Sequence, residues 1–325
     1  MIAPEMRYAV YGATLALAWF AAINVGASLC IAWIARRLAA GVRSLSSGAW
    51  FAMRVLPAVI STLFVSVVFL PSYWLLEPRG GTDGDGFDLT MTVAAAVGLA
   101  ACAAAVVRGI VAWARAARRT RAWMRTARPL ALPGTSLTAF ELDVETPLLA
   151  LAGVLRPRLL ITRGLIDALT ADELAACVAH ELAHFQSRDN VKRLAMRLSP
   201  DVLPLVGAAE TIERQWASAA EHGADRRASH GDPQARCALA SALLKVARLT
   251  PPLEAIAEPI STLVGGGDLA SRVGRLLDER SSSTHWTRGR LWFGGVLTIA
   301  TAAVLYTPLL YGVHGATEFL IRYLP

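Results

Sequence analysis

Four stretches of the chain are apolar over a spanning length, and between the third and fourth lies a long segment of mixed pattern. The apolar runs are Tyr8 to Ala35, Trp50 to Leu76, Leu89 to Trp113 and Leu291 to Tyr311. Each exceeds the roughly 20 residues that carry a helix across a bilayer core. Pro57 and Pro71 interrupt the second run without forbidding a span, because neighbouring helices can satisfy the freed backbone groups. Nearly charge-free interiors set these runs apart from helices buried in a soluble core. The first run is too long for the apolar region of a signal peptide, and Arg36 and Arg37 follow it rather than precede it, so it is expected to stay as an anchor.

In the intervening segment, Thr170-Ala171-Asp172-Glu173 fits a capping box and is followed by Leu174, Val178, Leu182 and Phe185 at near-helical spacing. This predicts a helix that buries the apolar stripe and leaves His180 and His184 on a neighbouring face. The 147–162 stretch is rich in branched residues and broken by Gly153 and Pro157, which predicts two short strands. An edge strand there could hold an extended peptide by β-augmentation, and a purely structural hairpin fits equally well. Val202 to Ala209 is apolar but short and contains Pro204, so it cannot cross a bilayer.

Composition agrees with a membrane protein: 54% of the 325 residues are hydrophobic and the mean hydropathy is +0.44. Charge then sets the expected topology. Arg36, Arg37 and Arg43 follow the first run with no acidic residue. Glu77, Asp83, Asp85 and Asp88 against Arg79 follow the second, whereas Arg115, Arg118, Arg119, Arg121, Arg125 and Arg128 follow the third. The loops read inside, outside, inside, and Arg288 and Arg290 before the fourth run agree. The expected plan is a three-helix membrane region over 1–113, a cytoplasmic domain over 114–288, and a fourth helix with a short outer tail over 289–325. The amino terminus lies outside. The formal charge of +7 and the arginine-rich segment suit anionic lipid at the cytoplasmic face of a bacterial-type plasma (inner) membrane. Nucleic acid is not an expected partner, since no aromatic interleaving or recognition module accompanies the charge. Trp113 and Trp123 read as interfacial anchors.

The chemistry concentrates in His180-Glu181-Leu182-Ala183-His184. Residues four apart on a helix lie about 40° apart around the axis and roughly 6 Å along it, so the two imidazoles project side by side and can share a tetrahedral metal. Glu181 is then placed to take a proton from the attacking water in metal-assisted hydrolysis. With only 6 His in the chain, random placement yields roughly 0.004 such motifs, so coincidence is a poor explanation. A hydrolytic site needs a third protein ligand, and Glu221-His222-Gly223-Ala224-Asp225 is the best candidate. On a helix Glu221 and Asp225 share a face, so Glu221 can complete the ligand set while Asp225 orients a ligand histidine. Glu210, Glu213 and His222 compete by residue type. His, His and Glu suit one Zn2+ ion best.

Ala179 to Asp189 (A-H-E-L-A-H-F-Q-S-R-D), Glu221 to Asp225 (E-x-x-A-D) and Ala152 to Thr162 (A-G-V-L-R-P-R-L-L-I-T) together resemble the BlaR/MecR-type membrane metallopeptidases. The resemblance covers roughly 10–312 in architecture and 140–230 in motif. It implies a gluzincin site with His180, His184 and Glu221 on zinc, Glu181 as base and Asp225 behind the ligands. It also implies a small sheet packed on helices, the zinc domain being inserted between the third and fourth membrane helices. One departure is the missing extracellular penicillin-binding sensor, so a signal would have to enter through the Glu77 to Asp88 loop, the membrane helices or a partner. HtpX-type and CAAX-processing peptidases share the same motifs and form the nearest enzymatic alternative. HtpX-type chains usually place two apolar spans between the motif halves, which the short Val202 to Ala209 run does not provide.

The reading that follows is a multi-pass α-helical membrane protein of four spans with an α+β, gluzincin-like cytoplasmic zinc domain. Its expected activity is zinc metalloendopeptidase cleavage of a cytoplasmic or membrane-proximal protein, a transcriptional repressor or the chain itself among the candidates. HtpX-like quality control and non-proteolytic zinc-dependent signal transduction are the alternatives. Other features add less. Cys30, Cys102, Cys177 and Cys237 show no paired spacing and read as small buried thiols. Asp83-Gly84-Asp85-Gly86 reads as a turn, Gly265-Gly266-Gly267-Asp268 as a mobile loop, and Arg226, Arg227 and His230 as basic surface residues or oxyanion donors.

Overall fold

A computed structural model describes residues 4–41, 45–78, 89–132, 137–145, 147–249, 261–262, 269–278 and 289–323. The Asp83–Gly86 turn and the Gly265–Asp268 loop lie outside the described residues.

Three of the apolar runs are continuous helical rods. Helix α1 is Pro4–Ala39. Helix α2, Ser47–Leu63, runs through a π-helical segment, Phe64–Phe69, into α3, Leu70–Leu76, and α4 is Leu89–Met124. The π segment precedes Pro71, whose missing N–H forces the ladder to shift register. Among the described residues, three helices are long and apolar enough to cross a membrane: Glu5–Ala39, Ser47–Leu76 and Leu89–Met124. The fourth expected span falls within a last helix, Gly289–Tyr323 (α11 below), of which the side chains are described only from 305 onward. Gly98 lets α4 lie against α1, since a Cβ there would meet the Leu17 carbonyl oxygen at 2.5 Å.

Helix α4 delivers the chain to a five-stranded sheet: β1 Ala127–Leu130, β2 Ala139–Leu142, β3 Leu149–Ala152, β4 Arg158–Thr162 and β5 Ser261–Thr262. The order is β1-β2-β4-β3-β5, all pairs antiparallel except β2 with β4. Strands β3 and β4 form the hairpin expected over 147–162, turned at Gly153 with φ of +105°. Both lie inside the sheet, because β2 covers β4 and Ser261–Thr262 pairs with Ala150 and Leu151 of β3. The edge expected to receive a peptide is therefore partly covered by the chain itself. Strand β1 was not apparent in the sequence because it is four residues long and contains Pro129, which fits only an edge.

Helices α5 Arg163–Ala168, α6 Ala171–Gln186, α7 Asp189–Leu198, α8 Ala208–Ser229, α9 Pro233–Leu249, α10 Leu269–Leu277 and α11 Gly289–Tyr323 complete the chain. One sheet face, with Leu149, Leu159 and Ile161, packs on Leu165, Cys177, Leu239 and Leu243. The other, with Leu142, Ala152 and Leu160, packs on Trp123 and Met124 at the end of α4. Trp123, expected as an interfacial anchor, also contacts the sheet, because α4 continues past the apolar run as far as Met124. A further core joins the membrane helices to the rest: Ile31, Ala35 and Trp50 close on Met196, Leu203, Ile212 and Trp216 of α7, α8 and the turn between them. Of the four thiols only Cys177 is buried; Cys30 and Cys237 are exposed and Cys102 is intermediate.

Candidate active site

Helix α6 starts as its sequence dictates: Thr170 Oγ1 accepts from Glu173 N at 3.3 Å and Glu173 Oε2 accepts from Thr170 N at 2.8 Å. Ser241 Oγ and Lys245 Nζ, both on α9, also reach the Glu173 carboxylate, at 2.6 and 2.7 Å. The face that α6 buries differs from the expected apolar stripe. Glu173, Ala176, Cys177, His180, Glu181, Ala183 and His184 are buried, whereas Leu174, Val178, Leu182 and Phe185 are only partly covered. Polar groups take the interior because α8, α10 and the start of α7 supply them with partners there.

His180 Nε2 and His184 Nε2 face each other at 3.1 Å. Between them, from α8, comes Glu221, whose Oε2 is 3.4 Å from His180 Nε2 and whose Oε1 is 3.5 Å from His184 Nε2. One donor atom from each of the three residues lies within 4.8 Å of the others, and all three are buried. The outer ring nitrogens are held as well. His180 Nδ1 is 2.9 Å from Asp225 Oδ1, and His184 Nδ1 is 2.7 Å from Asp189 Oδ2. These contacts turn both Nε2 atoms toward the centre.

Asp189 reaches His184 because Arg188 adopts a left-handed conformation, φ 54° and ψ 40°, which folds α7 back beside α6. Asn190 fixes the same corner to the sheet, its Nδ2 donating to the carbonyls of Leu151 and Gly153 at 2.9 Å each. Arg272 of α10, 2% exposed, closes the far side. Its Nε and Nη2 donate to the two Asp225 oxygens at 3.0 and 2.6 Å, and its Nη1 lies 3.0 Å from Glu221 Oε2. Glu181 stands apart: it is fully buried, and neither carboxylate oxygen has a hydrogen-bond partner among the described residues.

The electrostatics follow from this crowding. Burial works against charge on His184, but Glu221, Asp189 and Glu181 outweigh it and push the imidazole up to about 10. His180 is raised likewise, burial being overcome by Asp225 and Glu221. Glu221 is held well below the usual carboxylate range despite burial, by His184, His180 and Arg272. Burial raises Glu181. These shifts favour protonated imidazoles beside an ionised Glu221.

Two imidazole nitrogens and a carboxylate converging from buried positions, each oriented from behind, make a donor set that fits a zinc ion. The unsatisfied Glu181 carboxylate beside it fits a site that takes up a further polar group. Glu77, His314 and Glu318 also approach within 4.8 Å, but there the donors are half-buried or exposed, where water competes. The rival ligands lie elsewhere. Glu210 and His222 are exposed, and Glu213 contacts Arg54 and Arg197. Of the basic residues beyond Asp225, Arg227 donates to Ser187 Oγ at 2.6 Å, while Arg226 and His230 are exposed.

Residues 114–260 match Peptidase family M48. An 84-residue stretch is 38% identical to a protein named "Protease HtpX homolog" from Aeropyrum pernix, covering 26% of this chain and 24% of that one. The chain thus aligns with about a quarter of that relative. Of the two resemblances, these findings fall on the HtpX side.

Proposed function

We propose that the protein is a membrane-embedded zinc metalloendopeptidase. The observation that carries this reading is the convergence of His180, His184 and Glu221 beside a buried Glu181 without a hydrogen-bond partner among the described residues. His180, His184 and Glu221 would hold one zinc ion, which when bound would supply Lewis-acid polarisation of the scissile carbonyl and the attacking water. Glu181 accepts the proton of that water and returns it to the leaving amine, a task suited to a carboxyl whose pKa burial has raised. Asp225 and Asp189 hold the rings by their Nδ1 atoms, and Arg272 holds Glu221 and Asp225 in turn.

In this reading α11 is a fourth span, the 114–288 region faces the cytoplasm of a bacterial-type plasma membrane, and the substrate is an unfolded or membrane-proximal protein, as for an HtpX-like quality-control protease. A second reading keeps the chemistry and changes the substrate. Only a turn separates α7 from α8, which favours a BlaR/MecR-like insertion of the domain between membrane helices and a cytoplasmic repressor as substrate.

The test is zinc content and casein cleavage by the full chain in detergent, for wild type and Glu181→Gln. About one zinc per chain in both, with cleavage lowered by on the order of 10²- to 10⁴-fold in the variant alone, is expected. Absence of zinc from active wild-type protein would refute the proposal.

A further inference from the structure

Arg54 lies two turns inside an apolar helix and is 1% exposed, a setting in which an ionised side chain is costly and points to function. Its Nη1 donates to Asp201 Oδ2 at 2.5 Å and its Nε to Glu213 Oε1 at 3.0 Å. Both acids are engaged on their other oxygens. Asp201 Oδ1 accepts from Leu203 N at 3.0 Å, and Glu213 Oε2 is 3.2 Å from Arg197 Nη2. One guanidinium in α2 therefore joins the end of α7, through Arg197 and Glu213, to the following turn, through Asp201, and to α8.

The other two spans grip the same turn. Asn24 and Arg36 of α1 donate to the carbonyls of Pro200 at 2.8 Å and Val206 at 2.7 Å, and Arg108 of α4 donates to that of Ser199 at 3.0 Å. The turn joins the two helices that bring Asp189 and the Glu221–Asp225 pair to the histidines. Glu213 is two turns before Glu221 on α8, about 12 Å along a stiff rod, so a shift at one is delivered to the other. A buried ion cluster is a weak source of net stability, and packed apolar side chains would join the helices as well. What the planar fork adds is two fixed directions at once.

We infer that Arg54 is a positioning residue for the metal site, through which the second apolar helix sets the spacing of α7 and α8 and thereby the activity. This rests on the zinc-peptidase reading above. Movement of that helix, by a signal or a bound partner, would alter catalysis without any contact to substrate.

The experiment compares full-length wild type, Arg54→Met and Arg54→Lys in detergent by casein kinetics, zinc release to a chelator and hydrogen exchange. A folded Met variant is expected to lose kcat by roughly tenfold to a hundredfold with KM little changed, and to release zinc faster. Lys, which keeps the charge but not the fork, should fall in between. Exchange should quicken not only over 199–213 but also around Asp189 and over 221–225. A folded Met variant with wild-type kcat, zinc release and exchange beyond residue 213 overturns the inference. If the Met variant does not fold, a Lys variant with wild-type kcat and exchange overturns it instead. Wild-type protein without zinc would sink the zinc reading alone, and the spread of exchange would still decide for or against Arg54.

Discussion

His184 Nδ1 lies 2.7 Å from Asp189 Oδ2, a contact made across the left-handed bend at Arg188. Asp189 also accepts from Lys192 Nζ at 3.2 Å. The carboxylate fixes which imidazole nitrogen faces the centre and makes that nitrogen a better donor. Asp189→Asn keeps the shape but removes the charge. Zinc affinity of this variant, measured by competition with a chromogenic chelator, is expected to fall by roughly 10- to 100-fold.

Arg272 answers two buried carboxylates at once, so its loss leaves both without their guanidinium. Arg272→Leu is expected to destabilise the metal-free protein by about 3–5 kcal/mol, the range for removing one member of a buried ion cluster. Chemical unfolding in detergent, followed through tryptophan fluorescence, measures it. Zinc should reduce the deficit, because the ion supplies positive charge beside Glu221.

The parts of this site that were legible in the sequence are those written in local spacing. Thr170 and Glu173 specify the start of α6, four residues separate His180 from His184, and Glu221 and Asp225 repeat that interval on α8. The two four-residue intervals follow from helical pitch and the start from the capping box. Asp189 was visible only as part of a motif, because its use depends on a backbone conformation at Arg188 that arginine rarely adopts. Arg272 and Arg54 gave no signal: their partners come from helices distant in sequence, and a lone arginine near apolar residues has many possible uses. The expected apolar stripe on α6 was misleading for the same reason. Side chains of α8 and α10 satisfy the polar face of α6, so that face is the buried one.

Stability should respond to pH in opposite ways with and without metal. In the metal-free protein His184 is raised from 6.5 to about 10, so the stability it contributes is fully present below pH 6.5 and is lost as pH rises toward 10. Glu181, a carboxyl raised by burial, contributes a loss of the same sign that begins as pH rises above 4.5. Zinc requires neutral imidazoles, and its binding releases protons and strengthens as pH rises. The Tm of chelator-treated protein is therefore expected to fall between pH 6.5 and 10, and the gap to zinc-loaded protein to widen. A gap that narrows over this range would contradict the site chemistry.

Glu173 offers the reverse dependence at the start of α6. Burial opposes its charge, but Lys245, Ser241 and the Thr170 amide outweigh that and hold the carboxyl down at about 2. A depressed carboxyl contributes stability that is fully present above its unfolded value near 4.5 and is lost as pH falls toward 2. Glu173→Gln keeps a capping side chain but removes the charged bonds to α9. It is expected to destabilise the protein by about 1.5–3 kcal/mol at pH 7, the worth of a hydrogen bond to a charged group. The difference from wild type should shrink as pH is lowered below 4.5, read from paired thermal melts. Zinc affinity at pH 7 should stay close to wild type, because Glu173 holds the end of the helix opposite His184 and touches none of the three converging side chains.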